Sequence, residues 1–536
     1  MKSPFTILYL FFYAIGCSAL LVLQTACTTN LKTSTDAYHA GDFAKANVEI
    51  EKSAPDNTEA KVGTDPPIKV KYDRDLFWAG LEKAKINQDD GKFKKSFDLY
   101  IKLYERAYKL ALKESWFAKN PADMKNWDAN QFMQDAGQAV LGADQTDYIV
   151  QPYEMILINS YAMLDAMLLD KEGKDFSKSK ALTKGTIQWQ ELTRDDLKLS
   201  KVNSQPDSDK VDSALRAKAP QLSGFNIASV FGADGFSKAK AALSESIQAA
   251  GKNGDPRVTL GSVLEWAAFV QDQNFAAAEV AALEIGNTSA AVNLSKEAGN
   301  FTKKGDFVLV LVGAGRAPER DFFSVRIPIP IPNIATGYYR GVYPFLKFRT
   351  QNRPNQITIT SQAGTNTLEV IDSIDAIMAK NFQRREIELW WIPTIRGIIR
   401  TAASMAAQAT TNNNDKNAGL VKLLMFAANV AVAEAEQADL RVWSTLPGAH
   451  YAALIKRPAD GVLNIEIGDG STKGKVSANV KEGSSLVYIR ALTPNMKTNA
   501  YVASLIPKSR EESKADAAPK TPESATSIPE PAAVKN

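Results

Sequence analysis

Few residues in this chain of 536 are equipped for chemistry at neutral pH. Histidine, the side chain that titrates there unaided, occurs only at His39 and His450, and cysteine only at Cys17 and Cys27. Two distant histidines and two cysteines near one end do not make a zinc set. No EF-hand loop supplies a carboxylate set either, so no metal and no cofactor are expected. A serine nucleophile needs a base beside it; no Gly-Xaa-Ser-Xaa-Gly occurs, and only His450 offers itself. The run Gly313-Ala314-Gly315-Arg316-Ala317-Pro318 resembles a dinucleotide loop in its glycines, but a proline and a strand follow where a helix is required. Gly468–Lys475 is too long by one residue for a phosphate loop, with Val476 where Ser or Thr belongs. Both read as hairpin turns, no catalytic residue emerges, and the chain reads as non-enzymatic.

The chemistry that remains is at the start of the chain. Lys2 precedes an uncharged apolar run, Phe5–Leu23, and Gln24-Thr25-Ala26-Cys27 follows. A positive start, an apolar core and a small residue before the cut describe a secretory signal. A cysteine directly after that small residue resembles the bacterial lipobox, which implies a diacylglycerol on the thiol and cleavage to make that cysteine the new N-terminus. Cys27 ends the whole apolar run and opens a Thr- and Asn-containing linker. Cys17, after Ala14-Ile15-Gly16, is the alternative but would leave Ala19–Leu23 on the mature chain. An uncleaved membrane helix is the competing reading of the same run. Thr28, rather than Asp, follows the cysteine; the same resemblance implies sorting to the outer membrane, facing the periplasm. Both cysteines lie in this region, so the mature body holds no internal disulfide. The opposite end, 507–536, is rich in Pro, Ala, Ser, Glu and Lys without aromatics, and is expected to be disordered.

Between the ends, 64 basic and 60 acidic residues nearly balance, and no dominant positive field points to nucleic acid. A weak repeat pattern runs through 27–300. Gly41-Asp42-Phe43 leads to Ala46, Gly91-Lys92-Phe93 to Ser96, Asp175-Phe176 to Ser179, and Asn274-Phe275 to Ala278. Glycine or asparagine closes one helix in the left-handed conformation, the aromatic fills the join, and the small residue permits close approach. The pattern resembles the tetratricopeptide repeat, which implies stacked helix pairs. Two apolar stripes at helical spacing, Phe93 to Tyr108 and Tyr153 to Leu168, read as core. Near 173–235 the apolar periodicity fades, which predicts an insertion of short helices or loops.

From 301 to 506 the pattern becomes β-rich. Phe307–Val312 is an unbroken run of strand formers, expected for a strand buried on both faces. Further strands are expected at 322–327, 357–360, 462–467 and 486–489, with the proline-alternating stretch from Ile327 to Pro332 an edge or a polyproline-like segment. A helical insert is expected near 368–445, with Val370, Ile374, Ile377, Met378 and Phe382 in one stripe and Gly419–Glu436 as a buried hairpin helix. Within it, Arg396 and Arg400 lie four apart, suited to an anionic headgroup or to a solvated face. Asp439-Leu440-Arg441-Val442-Trp443 admits two readings. Either Arg441 and Trp443 belong to a partner surface, or Asp439 and Arg441 cap a helix while Trp443 fills the junction between the two halves.

The succession of Gly315–Arg320, the Ile-Pro run, Ile371–Ala376 and Ala438-Asp439-Leu440-Arg441-Val442-Trp443-Ser444-Thr445-Leu446-Pro447 resembles a largely uncharacterised family of Gram-negative lipoproteins. That resemblance covers roughly residues 27 to 505 and implies helical repeats before a β-containing region. Together with the residue patterns above, the expected fold is α+β, mostly α: a signal at 1–26, a helical-repeat domain at 27–300, a smaller mixed domain at 301–506, and a tail at 507–536. The resemblance implies no catalytic residues. The expected role is a lipid-anchored scaffold binding another envelope protein through its helical repeats. The alternative is a carrier for a small apolar or glycan ligand at the junction of the helical and β parts.

Overall fold

The computed structural model describes residues 26–54, 74–113, 150–170, 175–199, 226–303, 306–329, 337–350, 353–391, 438–468, 473–493 and 498–507, with a few single positions between them. The fold is α+β and mostly α. Three helical hairpins come first: α1 (Ala26–His39) with α2 (Phe43–Ser53), α3 (Arg74–Asp89) with α4 (Phe93–Lys113), and α5 (Pro152–Leu169) with α6 (Ser177–Leu199). The short α7 (Ile227–Phe231) and α8 (Asp234–Ala250) precede a fourth hairpin, α9 (Thr259–Asp272) with α10 (Phe275–Thr288), and then α11 (Val292–Phe301).

Three of the hairpin turns share one construction. Gly41, Gly91 and Gln273 take positive φ values of 84°, 77° and 63°. In each turn that residue's amide reaches back three positions and the next amide five, closing the Schellman arrangement. The left-handed position in the last turn is therefore Gln273, while Asn274 caps α10 through Ala277 N, as Asp42 caps α2 through Lys45 N. Ala46, Ser96 and Ala278 are fully buried against the partner helix. The aromatics sit at the rim instead: Phe43 packs on Tyr38 and Phe93 edge-on against Tyr501. The stretch read as an insertion contributes α6, a 23-residue helix packed along α5.

The β part is two stacked sheets and a ribbon. The central five-stranded sheet has the order β11 (Ala500–Pro507), β10 (Gly483–Ala491), β1 (Phe307–Ala314), β7 (Ala449–Lys456), β6 (Glu369–Ser373), with β1 and β10 parallel. A four-stranded sheet of β5 (Gly364–Thr367), β4 (Ile357–Ser361), β8 (Val462–Ile467) and β9 (Gly474–Asn479) lies on it. β2 (Glu319–Ile329) and β3 (Gly337–Lys347) form a separate ribbon. Alternation along β1 settles the layering. Val308, Val310 and Val312 join Ile357, Ile359, Leu463 and Ile465 between the sheets. Phe307, Leu309 and Leu311 join the helices. The molecule is thus helices on sheet on sheet, and one core of helical and strand residues runs from Phe77 to Leu505 across the expected boundary near 300.

Several expectations are corrected by this arrangement. Gly313–Pro318 is no hairpin, because β2 leaves the central sheet to pair with β3. Gly468 does lie in the β8–β9 hairpin connection. Val370 sits in strand β6; only from Ile374 does the stripe become helical, as α12 (Ile374–Arg384), capped by Ser373. Pro328 lies in β2, an edge strand of the two-stranded ribbon as expected, paired with Tyr338. The helix expected at 419–436, the tail beyond 507 and the apolar start of the chain lie outside the described residues. Among the described residues no helix is long and apolar enough to cross a membrane.

Candidate functional site

The polar groups of interest lie on the helix-facing side of the central sheet. Strand alternation puts His450 of β7, Asp372 of β6, and Tyr488 and Arg490 of β10 on that side, among apolar neighbours such as Leu311 and Leu454. Opposite them, α3 presents Glu82, Lys85, Gln88 and Asp89, all at most 2% exposed. Residues three and four apart share a helix face, so this helix turns a charged stripe inward. Nothing in the hydropathy of Leu81–Asp89 suggests a buried helix. The available signal was negative: the segment has no apolar stripe.

Asp89 is the hub. Its Oδ1 accepts from Lys85 Nζ and from the Tyr488 hydroxyl at 3.0 Å, and its Oδ2 lies 2.5 Å from the Tyr38 hydroxyl. Arg490 Nε donates to Tyr38 Oη at 2.9 Å, and its Nη1 donates to the carbonyls of Gly313 and Gly315. Lys85 Nζ stands 4.9 Å from the centre of the Tyr161 ring, close enough for a cation–π contact. Burial pulls the Lys85 ammonium down to about 8, against the raising effect of Asp89. Burial likewise pushes the hydroxyls of Tyr38, Tyr161 and Tyr488 well above the ordinary tyrosine range.

A second chain of bonds adjoins the first. The Tyr161 hydroxyl lies 2.8 Å from His450 Nε2, and His450 Nδ1 lies 3.2 Å from Asp372 Oδ2. Asp372 also caps α9, accepting from the amides of Thr259 (2.6 Å) and Leu260 (2.9 Å). Burial lowers the His450 imidazole below its usual range, although Asp372 opposes this. A carboxylate, an imidazole and a hydroxyl in series have the order of a general-base relay. The space beside them is about 10 Å³, room for about one water. The outer bonds join the strands to helix α5 and to the start of α9, the middle one joins β7 to β6, and the arrangement acts as a tie between layers.

Glu82 extends the tie to the segment that the sequence singled out. Its carboxylate receives the amides of Ser444 (2.7 Å) and Thr445 (3.0 Å), and Trp78 Nε1 donates to Val442 O. Trp443 is thereby fully buried, its ring 6.0 Å from Tyr161 and 6.2 Å from Tyr100. Arg441 is 7% exposed and held by Asp439, Nε to Oδ1 at 2.8 Å. Neither offers a partner surface, since the neighbouring layers enclose both; Trp443 packs among buried rings, and the segment 438–442 is irregular, with no helix among the described residues for the pair to cap. Cys27 stands in the first turn of α1, so the stretch after it is helical rather than an extended linker. Cys17, Arg396 and Arg400 lie outside the described residues.

A cleft opens at the junction itself, between the start of α5, the end of α12 and Asp439–Val442. Glu154, Arg320, Asn381, Arg385 and Asp439 line it, over a floor that includes Phe382. Its volume is about 40 Å³, well short of the roughly 300 Å³ at which small-molecule pockets begin. Among the described residues no group of three or more His, Cys, Asp or Glu is placed to hold a metal ion. Comparison with known proteins finds no matching family model, no matching curated protein and no matching solved structure.

Proposed function

We propose that this chain is a lipid-anchored, non-catalytic scaffold of the bacterial cell envelope, held at the periplasmic face of the outer membrane through Cys27 and binding another envelope protein through its helical hairpins. One observation carries the reading: the constellations able to do chemistry are spent inside the molecule, tying helices to sheet, while the helical surface keeps large apolar groups outside. Val280 and Leu283 on α10 are 67% and 68% exposed, three residues apart on one helix face. The carrier alternative draws no support from the junction, whose cleft is too small to enclose an apolar or glycan ligand.

The test is capture from envelope extracts with wild-type chain, Cys27→Ala and a Val280→Asp/Leu283→Asp double variant. Retention in the membrane fraction is expected to fail only for Cys27→Ala, and a reproducible partner to be lost only from the double variant. A chain that returns no protein above background in repeated captures overturns the scaffold reading. Membrane retention unchanged by Cys27→Ala overturns the anchor.

A further inference from the structure

We propose that the cleft between α5, α12 and Asp439–Val442 is a carboxylate pocket, which receives an acidic side chain or C-terminal carboxylate of the envelope partner; the partner half of this statement rests on the scaffold reading above. The starting observation is Arg320. Its side chain is only 10% exposed, yet its contacts to Asp439 are long, 3.4 Å to the carbonyl and 3.8 Å to the carboxylate. Its Nε has no partner among the described residues. A guanidinium taken out of water needs short acceptors to offset its lost hydration.

The neighbouring groups already have theirs. Asp439 is gripped by Arg441, through Nε at 2.8 Å and Nη2 at 3.2 Å. Glu154 accepts from the Tyr148 hydroxyl at 2.6 Å and from Gln151 N at 2.8 Å. Asn381 Nδ2 donates to Gln151 Oε1 at 3.0 Å. The cleft is lined by the guanidiniums of Arg320 and Arg385 and the carboxyls of Glu154 and Asp439, and the charge of Asp439 is already matched by Arg441. Burial raises the Glu154 carboxyl above its usual range, against the lowering effect of Tyr148, Gln151 N and Arg320.

Size selects among anions. The volume of about 40 Å³, at roughly 10–15 Å³ for each water-sized group, admits about three heavy atoms. That is a carboxylate head and little more. The planar fork of an arginine matches such a head in geometry as well as charge.

The experiment titrates ¹³C-labelled acetate into the detergent-solubilised full chain at constant ionic strength, with acetamide as the uncharged isostere, and reads carbon line width. Saturable broadening is expected for acetate and none for acetamide. Arg320→Gln is expected to weaken acetate binding at least tenfold with an unchanged circular dichroism spectrum. Should that variant not fold, Arg385→Gln, the other guanidinium lining the cleft, carries the same comparison. Equal behaviour of acetate and acetamide, or acetate binding untouched by the folded variant, overturns the pocket. Captured partner lost with Arg320→Gln supports the partner as the carboxylate's source. Capture that survives the loss of acetate binding overturns that source and leaves a site for free carboxylates. Saturable acetate binding by a chain that captures nothing leaves the pocket standing and removes the scaffold.

Discussion

The two faces of the central sheet are built by opposite means. Toward the second sheet, Val308, Val310, Val312, Val487 and Ile489 meet Ile357, Ile359, Leu463 and Ile465 in a dry sandwich. Toward the helices, the same strands carry His450, Tyr488 and Arg490 into a charged and tyrosine-rich layer. Apolar sheet packing tolerates sliding and substitution, because burial is non-directional. Directional bonds among buried charges add little net stability, but they penalise every other docking angle. The comparison teaches that one face supplies cohesion while the other fixes how the helices sit.

The largest expected effect breaks the polar face at its hub. Asp89→Ala leaves Lys85 and Arg490 buried with their shared carboxylate gone, and should destabilise by about 3–5 kcal/mol in urea unfolding. Replacing Lys85 and Asp89 together by Met and Leu should recover the share of that loss due to Lys85, with Arg490 still lacking its carboxylate, and failure to recover any of it would contradict the view of these groups as a directional tie. On the sandwich face, Ile465→Val should cost about 0.5–1.5 kcal/mol and leave near-ultraviolet circular dichroism intact.

Acidity separates the faces further. Lys85 holds its proton to about pH 8 in the folded chain and to roughly 10.4 when unfolded. Between those values the unfolded chain binds more protons, so its contribution to stability rises with pH, on the order of 1 kcal/mol from pH 8 to 9. Lys85→Met should flatten that rise. For His450 the folded value is the lower one, so stability should fall as pH drops through roughly 6.5. His450→Gln should blunt that fall, as measured by urea midpoints between pH 7 and 5. Smallest of all, Val280→Asp or Leu283→Asp should change stability by within about 0.5 kcal/mol, since neither side chain is in either layer.

How much of this was legible follows the same division. β1 announced itself, since eight successive buried residues need a continuous run of strand formers. The helical hairpins were readable from Gly41 and Gly91, where the turn requires a positive φ. β7 was missed because Ala-His-Tyr-Ala-Ala-Leu-Ile-Lys is alanine-rich and its partners are distant in sequence. α6 was misread because its inner seam is polar: Ser179, Thr183, Thr186, Gln190 and Thr193 recur at helical spacing and are buried, while the eye seeks leucine. The tie around Asp89 was illegible, because burial of Lys85 depends on Tyr38 and Tyr488, which only the completed fold brings beside it. The burial of Trp443 against Tyr100 and Tyr161 was offered by only one of two readings of its segment, and the cleft beside it was not foreseen.

The bond from Arg490 to Tyr38 spans 452 positions of the chain. β1 waits for β7 and β10, both far downstream, before either of its edges is paired. Loops of that length close slowly, and long-range pairing retards folding more than it weakens the product. The helical hairpins, made of near neighbours, assemble early, but the layer they rest on is completed only when nearly the whole polypeptide is present. A chain organised this way holds its central layer open until its late strands arrive, and locks last where Arg490 of β10 reaches Tyr38 of α1.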